Sequence, residues 1–170
     1  RNTSDVAKFG HYIKDEERRE LVKSVLEEFK TTFGGEDGGA GKELRKGILM
    51  GDYNDANVLV DDDMRISGLI DFGDSVYSWR VLDVSVAMAY ASISSYGKNG
   101  RSLSAAAAVL RGFHSVYPLT PPEIRILHLL VSCRLACSVC IGAYSYSKNP
   151  ENEYLLMHAE PAWKALELFW

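Results

Sequence analysis

The segment LMGDYNDANVL at residues 49–59 decides the fold, together with GLIDFGD at residues 68–74. Gly, Asp and Asn, the residues that favour turns, alternate here with short apolar runs, which predicts short strands. The three runs lie at residues 48–49, 58–60 and 67–70. The aspartates at 61–63 fall between the second and third runs and predict a solvated hairpin turn. We therefore expect a β-hairpin with an aspartate-rich approach on each side.

Outward from this hairpin the chain is predicted to be helical. Residues 15–33 carry apolar residues at helical spacing and charged residues on the opposite side, a pattern typical of an amphipathic helix. Further helices are predicted at residues 81–94, 103–116, 122–147 and 151–170. Thr120 before Pro121, with Glu123 three residues later, indicates a capping box at the start of one of them. The fold class is α+β, mostly helical, with a small hairpin.

Residues 34–42 are rich in glycine and predict a flexible surface loop. Gly41-Lys42 raises the alternative of a Walker phosphate-binding loop. That motif needs Gly at position 36 and Ser or Thr at position 43, where this chain has Glu36 and Glu43. The spacing therefore argues against it.

Composition restricts the function classes. The 170 residues carry a formal net charge of -4, so the chain lacks the basic field that a nucleic-acid partner or an anionic membrane surface requires. The apolar stretch 126–143 includes His128 and Arg134, which favours a core helix over a membrane span. We expect one domain, no nucleic-acid partner and no membrane partner.

Three cysteines, Cys133, Cys137 and Cys140, lie within that apolar stretch. Their spacing predicts small buried side chains in a reducing compartment, and no His stands at ligand spacing to complete a metal site. We expect a cytoplasmic protein, since no signal peptide is evident. The sequence begins with Arg1, not Met, and we expect it to be part of a longer protein.

Asp52, Asn57 and Asp71 have the order and spacing that phosphoryl transfer needs. An Asp on a loop can orient an acceptor hydroxyl, and an Asn five residues later can present a neutral oxygen ligand. An Asp at the end of the next hairpin strand can hold magnesium on the nucleotide phosphates.

These motifs resemble the catalytic loop and metal-binding segment of the aminoglycoside phosphotransferase and choline kinase family, most narrowly its hydroxylysine kinases. The runs Asn-Asp-Ala-Asn at 54–57, Ile-Asp-Phe-Gly-Asp-Ser-Val-Tyr at 70–77 and Tyr-Pro-Leu-Thr at 117–120 carry the resemblance, which extends from about residue 46 to residue 170. It implies that residues 1–170 form the C-terminal lobe of a protein-kinase-like fold whose hairpin carries the catalytic and metal-binding loops.

The same resemblance implies the roles of individual residues. Asp52 would be the catalytic base or hydroxyl-orienting residue, while Asn57 and Asp71 would bind Mg2+ and the nucleotide. Asp83 would brace the catalytic loop. The phosphate donor would be GTP or ATP, and the acceptor a small amino-bearing alcohol, with 5-hydroxy-L-lysine the leading candidate.

Two departures from the family pattern stand out. Met50 occupies the position where the family usually has His, which removes a polar brace from the loop. The chain also contains no glycine-rich strand pair followed by a strand lysine. We therefore expect the nucleotide-binding N-terminal lobe to be absent from this chain and to be its partner in the complete protein. The isolated chain is then expected to be inactive.

Several alternatives remain open at this stage. Asp55 and Asp74 are candidates for contacting the ammonium group of a substrate, or for capping the loops. The chain could be a non-catalytic kinase-fold module that binds or regulates. A two-metal nuclease built on Asp52 and Asp71 is a weaker alternative, because a phosphate backbone requires a basic surface.

Overall fold

The computed structural model describes residues 6–35, 38–97 and 101–170, with the side chains of all of these except residues 153–158. The described part of the chain contains five α-helices and four β-strands, together with short 3-10 turns. The helices are α1 (Glu16–Phe33), α2 (Val81–Ser94), α3 (Ser102–Val116), α4 (Pro121–Lys148) and α5 (Glu153–Phe169). The strands are β1 (Lys46–Leu49), β2 (Val58–Val60), β3 (Ile66–Leu69) and β4 (Val76–Trp79). The predicted α+β, mostly helical class is confirmed.

The strands form two separate antiparallel pairs, β2 with β3 and β1 with β4. The hairpin of β2 and β3 closes at the predicted aspartate turn, where the Asp61 side chain accepts hydrogen bonds from the backbone N–H groups of Asp63 and Arg65. The second pair was only half predicted, because residues 76–79, for which no strand was expected, form β4 directly before the predicted helix at 81–94. This strand pairs with β1, some thirty residues earlier in the chain, so local periodicity could not reveal it.

The chain divides into two compact units, residues 1–42 with 128–170, and residues 43–127. In the first unit, Asp15 caps α1 by accepting a hydrogen bond from the Arg18 backbone N–H. The Arg18 guanidinium also binds the Glu160 carboxylate at 2.8 Å and lies over the Trp163 ring, so α1 is fixed to α5. Tyr144 packs against Phe9, with ring centroids 4.7 Å apart.

The second unit, residues 43–127, contains all four strands together with α2 and α3. Helices α2 and α3 pack on each other, and the Ser92 hydroxyl of α2 donates to the backbone oxygen of Ser102 at the start of α3. At the start of α4 the buried Glu123 carboxylate accepts from the Thr120 backbone N–H at 2.8 Å, the glutamate half of the predicted capping box. All the predicted site residues lie in this unit.

Two sequence expectations concern other parts of the chain. Within the glycine-rich stretch 34–42, a 3-10 turn begins at Gly39 and ends at Glu43, while Glu36 and Asp37 lie outside the described residues, so its flexibility stays a prediction. By length and composition α4 is the one helix in the described ranges that could cross a membrane, and 61% of its most apolar window is buried within the protein. Core helices of water-soluble folds pass the same test.

Candidate active site

The pairing of β1 with β4 brings two loops to the same end of a ladder. Lys46 pairs with Trp79, and Leu49 pairs with Val76. Because the strands are antiparallel, the segment that follows β1 and the segment that precedes β4 leave the ladder side by side. After their predicted roles, the first segment, residues 50–57, is named the catalytic loop, and the second, residues 71–74, the metal loop.

Gly51 lets the two loops approach each other closely. Its φ is +86°, in the region that favours glycine, and a Cβ built on it would lie 2.5 Å from the backbone oxygen of Asp74. No side chain fits at that distance from a backbone atom. Glycine at position 51 is thus required by the close backbone approach of the metal loop, and not only by its tendency to form turns.

Asp83, in the first turn of α2, holds the start of the catalytic loop. Its carboxylate accepts hydrogen bonds from the backbone N–H groups of Met50 at 3.1 Å and Gly51 at 2.9 Å. The Met50 side chain is buried and makes no contribution to this bracing. Burial raises the pKa of the neighbouring Tyr53, and the negative charge of Asp83 raises it further.

Asp52 and Asn57 are in direct contact within the catalytic loop. The Asn57 Nδ2 donates to the Asp52 backbone oxygen at 2.9 Å and to Asp52 Oδ2 at 3.3 Å. Both partners are acceptors, so the nitrogen of the amide must face them and the amide oxygen must face away. The Oδ1 of the buried Asn57 therefore faces away from Asp52, where it could serve as a neutral oxygen ligand.

The hairpin places Asp71 at the same end as Asn57. Val58 pairs with Leu69, and the backbone N–H of Ile70 donates to the Asn57 backbone oxygen at 3.1 Å, which extends the ladder to the edge of the catalytic loop. Asp71 is the next residue. It adopts a left-handed conformation with φ 60° and ψ 68°, and its Oδ1 accepts a bond from the Gly73 backbone N–H. Asp is among the few residues that tolerate this conformation.

The remaining candidates take different positions. Asp74 ends the 3-10 turn of the metal loop and touches Gly51 through its backbone, while its side chain is exposed. Asp55 begins the 3-10 turn Asp55–Asn57 and its side chain is exposed. Both carboxylates are exposed beside the loops, where each can be hydrated by solvent or can contact a cationic group of a substrate.

The oxygen ligands fit magnesium. An amide oxygen and a carboxylate are the donors that this cation prefers, and it usually keeps its other positions for water and substrate phosphates. The described residues contain no group of three or more His, Cys, Asp or Glu side chains that would hold a metal by themselves. A cation at Asn57 and Asp71 would therefore depend on ligands from outside the chain.

Sequence reasoning assigned no role to Asn54, although the structure places it between the two catalytic-loop residues. Its Nδ2 donates to Asp52 Oδ2 at 2.9 Å, and its Oδ1 accepts from the Asn57 backbone N–H at 3.2 Å. An Asn directly before a short turn is a capping signal that would have indicated the second bond. The bond to Asp52 leaves no such signal.

Comparison with known proteins gives a consistent result. The model of the phosphotransferase enzyme family matches residues 11–102. Over 98% of its length the chain is 33% identical to a hydroxylysine kinase of Xenopus laevis and 34% identical to one of Mus musculus. Over 95% of its length it is 28% identical to one of Danio rerio. In each case the match covers 45% of the relative, so the chain spans about half the length of these proteins.

Proposed function

The chain belongs to the phosphotransferase enzyme family, and on that premise we propose that it is the catalytic-loop lobe of a small-molecule kinase. The reaction is transfer of the γ-phosphate of GTP or ATP to the hydroxyl of a small amino-bearing acceptor. The observation that carries the proposal is the contact of Asp52 with Asn57, with Asp71 held at the same end of the hairpin. Residues that served only to form turns would not need to lie together at one site.

In the proposed mechanism each residue has one task. Asp52 accepts a hydrogen bond from the acceptor hydroxyl and takes its proton as the phosphate is transferred. The Asn57 amide oxygen and the Asp71 carboxylate would hold Mg2+, which when bound would neutralise charge on the nucleotide phosphates. Asp83 fixes the backbone from which Asp52 projects. Positioning is most of what such a reaction asks of a protein.

For the acceptor we propose 5-hydroxy-L-lysine. The relatives that match are named hydroxylysine kinases. The site contains carboxylates beyond those assigned to the mechanism. Two of them, on the exposed Asp55 and Asp74, can attract the ammonium group of a substrate. We further propose a cytoplasmic location, because none of the three cysteines forms a disulfide, as is usual in reducing compartments.

A second lobe is proposed to complete the nucleotide site. Apolar side chains are exposed on the strands and loops around the site, among them Ile48, which is 84% exposed, and Ile66, Phe72 and Tyr77. Ile48 and Tyr77 are paired neighbours on β1 and β4, and monomeric proteins rarely expose contiguous large apolar side chains, so these residues fit contact with a covering partner. The half of the relatives that the chain does not match is the candidate for that partner.

The test measures phosphate transfer from Mg-GTP and Mg-ATP to 5-hydroxy-L-lysine by the complete protein. Asp71→Ala should abolish turnover, and Asp52→Asn should lower kcat by about a hundredfold with nucleotide affinity nearly unchanged. Asp62→Asn, in the exposed hairpin turn, is the matched control and should behave as wild type. Nucleotide binding without turnover in the wild type would instead favour a non-catalytic module. The 170-residue chain alone should show no turnover.

A further inference from the structure

The Asn54 side chain contacts both catalytic-loop residues at once. It is half-buried, and its two polar atoms are both engaged: Nδ2 with the Asp52 carboxylate at 2.9 Å, and Oδ1 with the Asn57 backbone N–H at 3.2 Å. The Asn57 Nδ2 reaches back to Asp52 at 2.9 Å. Asp52, Asn54 and Asn57 thus form a closed ring of hydrogen bonds.

The orientation of the Asn54 amide follows from its partners. A backbone N–H can only donate, so it must meet the amide oxygen, and a carboxylate needs a donor, so it must meet the amide nitrogen. In the opposite orientation the amide nitrogen would face the Asn57 N–H, donor against donor, and the amide oxygen would face the Asp52 carboxylate, acceptor against acceptor. Asn is therefore well matched to this position, because a side chain with only acceptors would satisfy the Asn57 backbone and repel Asp52.

We propose that Asn54 is a positioning residue for Asp52, an inference that rests on the proposed kinase function. Its amide nitrogen fixes the rotation of the Asp52 carboxylate, so that Oδ2 is held inside the loop and the other oxygen is directed to the acceptor hydroxyl. Its amide oxygen separately caps the 3-10 turn Asp55–Asn57 and fixes the distance from Asp52 to Asn57. With Met50 contributing no polar side chain, this ring and the Asp83 carboxylate provide the side-chain contacts that hold the catalytic loop.

The two tasks can be separated by substitution. Asn54→Asp keeps an acceptor for the Asn57 backbone N–H but replaces the donor that faces Asp52 with a second carboxylate. Asn54→Ala removes both bonds. Asp62→Asn remains the matched control, since it exchanges Asp and Asn on an exposed turn away from the ring.

The experiment uses the complete protein and measures kcat, KM for the Mg-nucleotide and hydrogen exchange at the Asn57 backbone amide. Asn54→Asp should lower kcat about tenfold to a hundredfold, as expected for a lost hydrogen bond to a charged group, with KM for the nucleotide within about twofold of wild type. Exchange at Asn57 should be unchanged in Asn54→Asp and about fivefold or more faster in Asn54→Ala, which loses the side-chain cap and leaves the Asn57 N–H its bond to the Asn54 backbone oxygen.

The outcomes separate this inference from the function it rests on. No turnover in the wild type overturns the proposed kinase and this assignment with it. Turnover in the wild type with kcat of Asn54→Asp within twofold of it overturns the positioning role alone. A fall in kcat accompanied by faster exchange at Asn57 in Asn54→Asp also overturns it, because the loop would then have come apart rather than lost the orientation of Asp52.

Discussion

The ion pair of Arg45 and Glu123 ties the start of β1 to the first turn of α4, and its two partners are unequally buried. Arg45 Nε and Nη2 contact the two carboxylate oxygens at 3.0 and 2.6 Å. The Glu123 side chain is 0% exposed, whereas that of Arg45 is 37% exposed and lies over the Tyr117 ring. Removing one partner should therefore lower the free energy of unfolding by a different amount from removing the other.

The magnitudes follow from what each substitution leaves behind. Arg45→Met leaves a fully buried carboxylate with the Thr120 backbone N–H as its remaining donor, and an uncompensated buried charge costs about 3–5 kcal/mol. Glu123→Gln leaves a guanidinium that water reaches and that still donates to the Pro118 backbone oxygen, so the cost falls to about 1–3 kcal/mol. The double substitution Arg45→Met with Glu123→Leu should be less destabilising than Arg45→Met alone, since no charge remains unpaired.

The ion pair also predicts a pH dependence. Burial on its own raises the pKa of Glu123, but hydrogen bonds from Arg45 and from the Thr120 backbone outweigh it, and the pKa lies below its usual 4.5. A carboxyl whose pKa is depressed in the folded state stabilises the fold above its unfolded pKa, and loses that contribution as pH falls through the folded value. The stability difference between wild type and Glu123→Gln should therefore be full at neutral pH and shrink below about pH 4.5.

Urea unfolding of the purified protein, monitored by circular dichroism at neutral pH and at a series of acidic values, measures these differences. Glu123→Gln serves as the comparison for Arg45→Met because each removes one charge from the same contact. A larger loss for Glu123→Gln than for Arg45→Met would refute the argument from unequal burial. A gap between wild type and Glu123→Gln that does not change with pH would refute the linkage.

Two further predictions concern the catalytic loop and the thiols. Gly51→Ala should destabilise the protein by about 1–3 kcal/mol and abolish turnover, because the alanine would combine a positive φ with a clash against the metal loop. The control Gly68→Ala should be nearly neutral, since its Cβ would meet only the Leu59 side chain at 3.5 Å. Equal melting temperatures for the two variants would contradict this prediction. Burial raises the pKa of Cys140 to about 12, aided by the neighbouring Cys137. Iodoacetamide at neutral pH should therefore label the half-buried Cys137 well before the buried Cys140, as followed by mass spectrometry. Labelling of both thiols at the same rate would contradict this prediction.

The sequence predicted those features whose causes are local. The hairpin follows from the turn residues at 61–63, and α2 begins and ends at the predicted residues 81 and 94. Strand β4 was missed because its pairing with β1 depends on contacts between segments that are distant in the sequence. Asn54 was missed because its role depends on which atom of its amide faces Asp52, and residue spacing carries no information about that orientation.

Met50 shows how the catalytic loop can depart from the family pattern and still be held. The carboxylate of Asp83 binds the backbone N–H groups of residues 50 and 51, and any residue other than proline supplies these. A polar side chain at position 50 is therefore not needed to fix the entry to the loop, and the position can bury an apolar side chain instead. In this chain the loop is held by two contacts on either side of Asp52, one from the Asp83 carboxylate and one from the Asn54 side chain. The absence of His at position 50 is thus no argument against catalysis by Asp52.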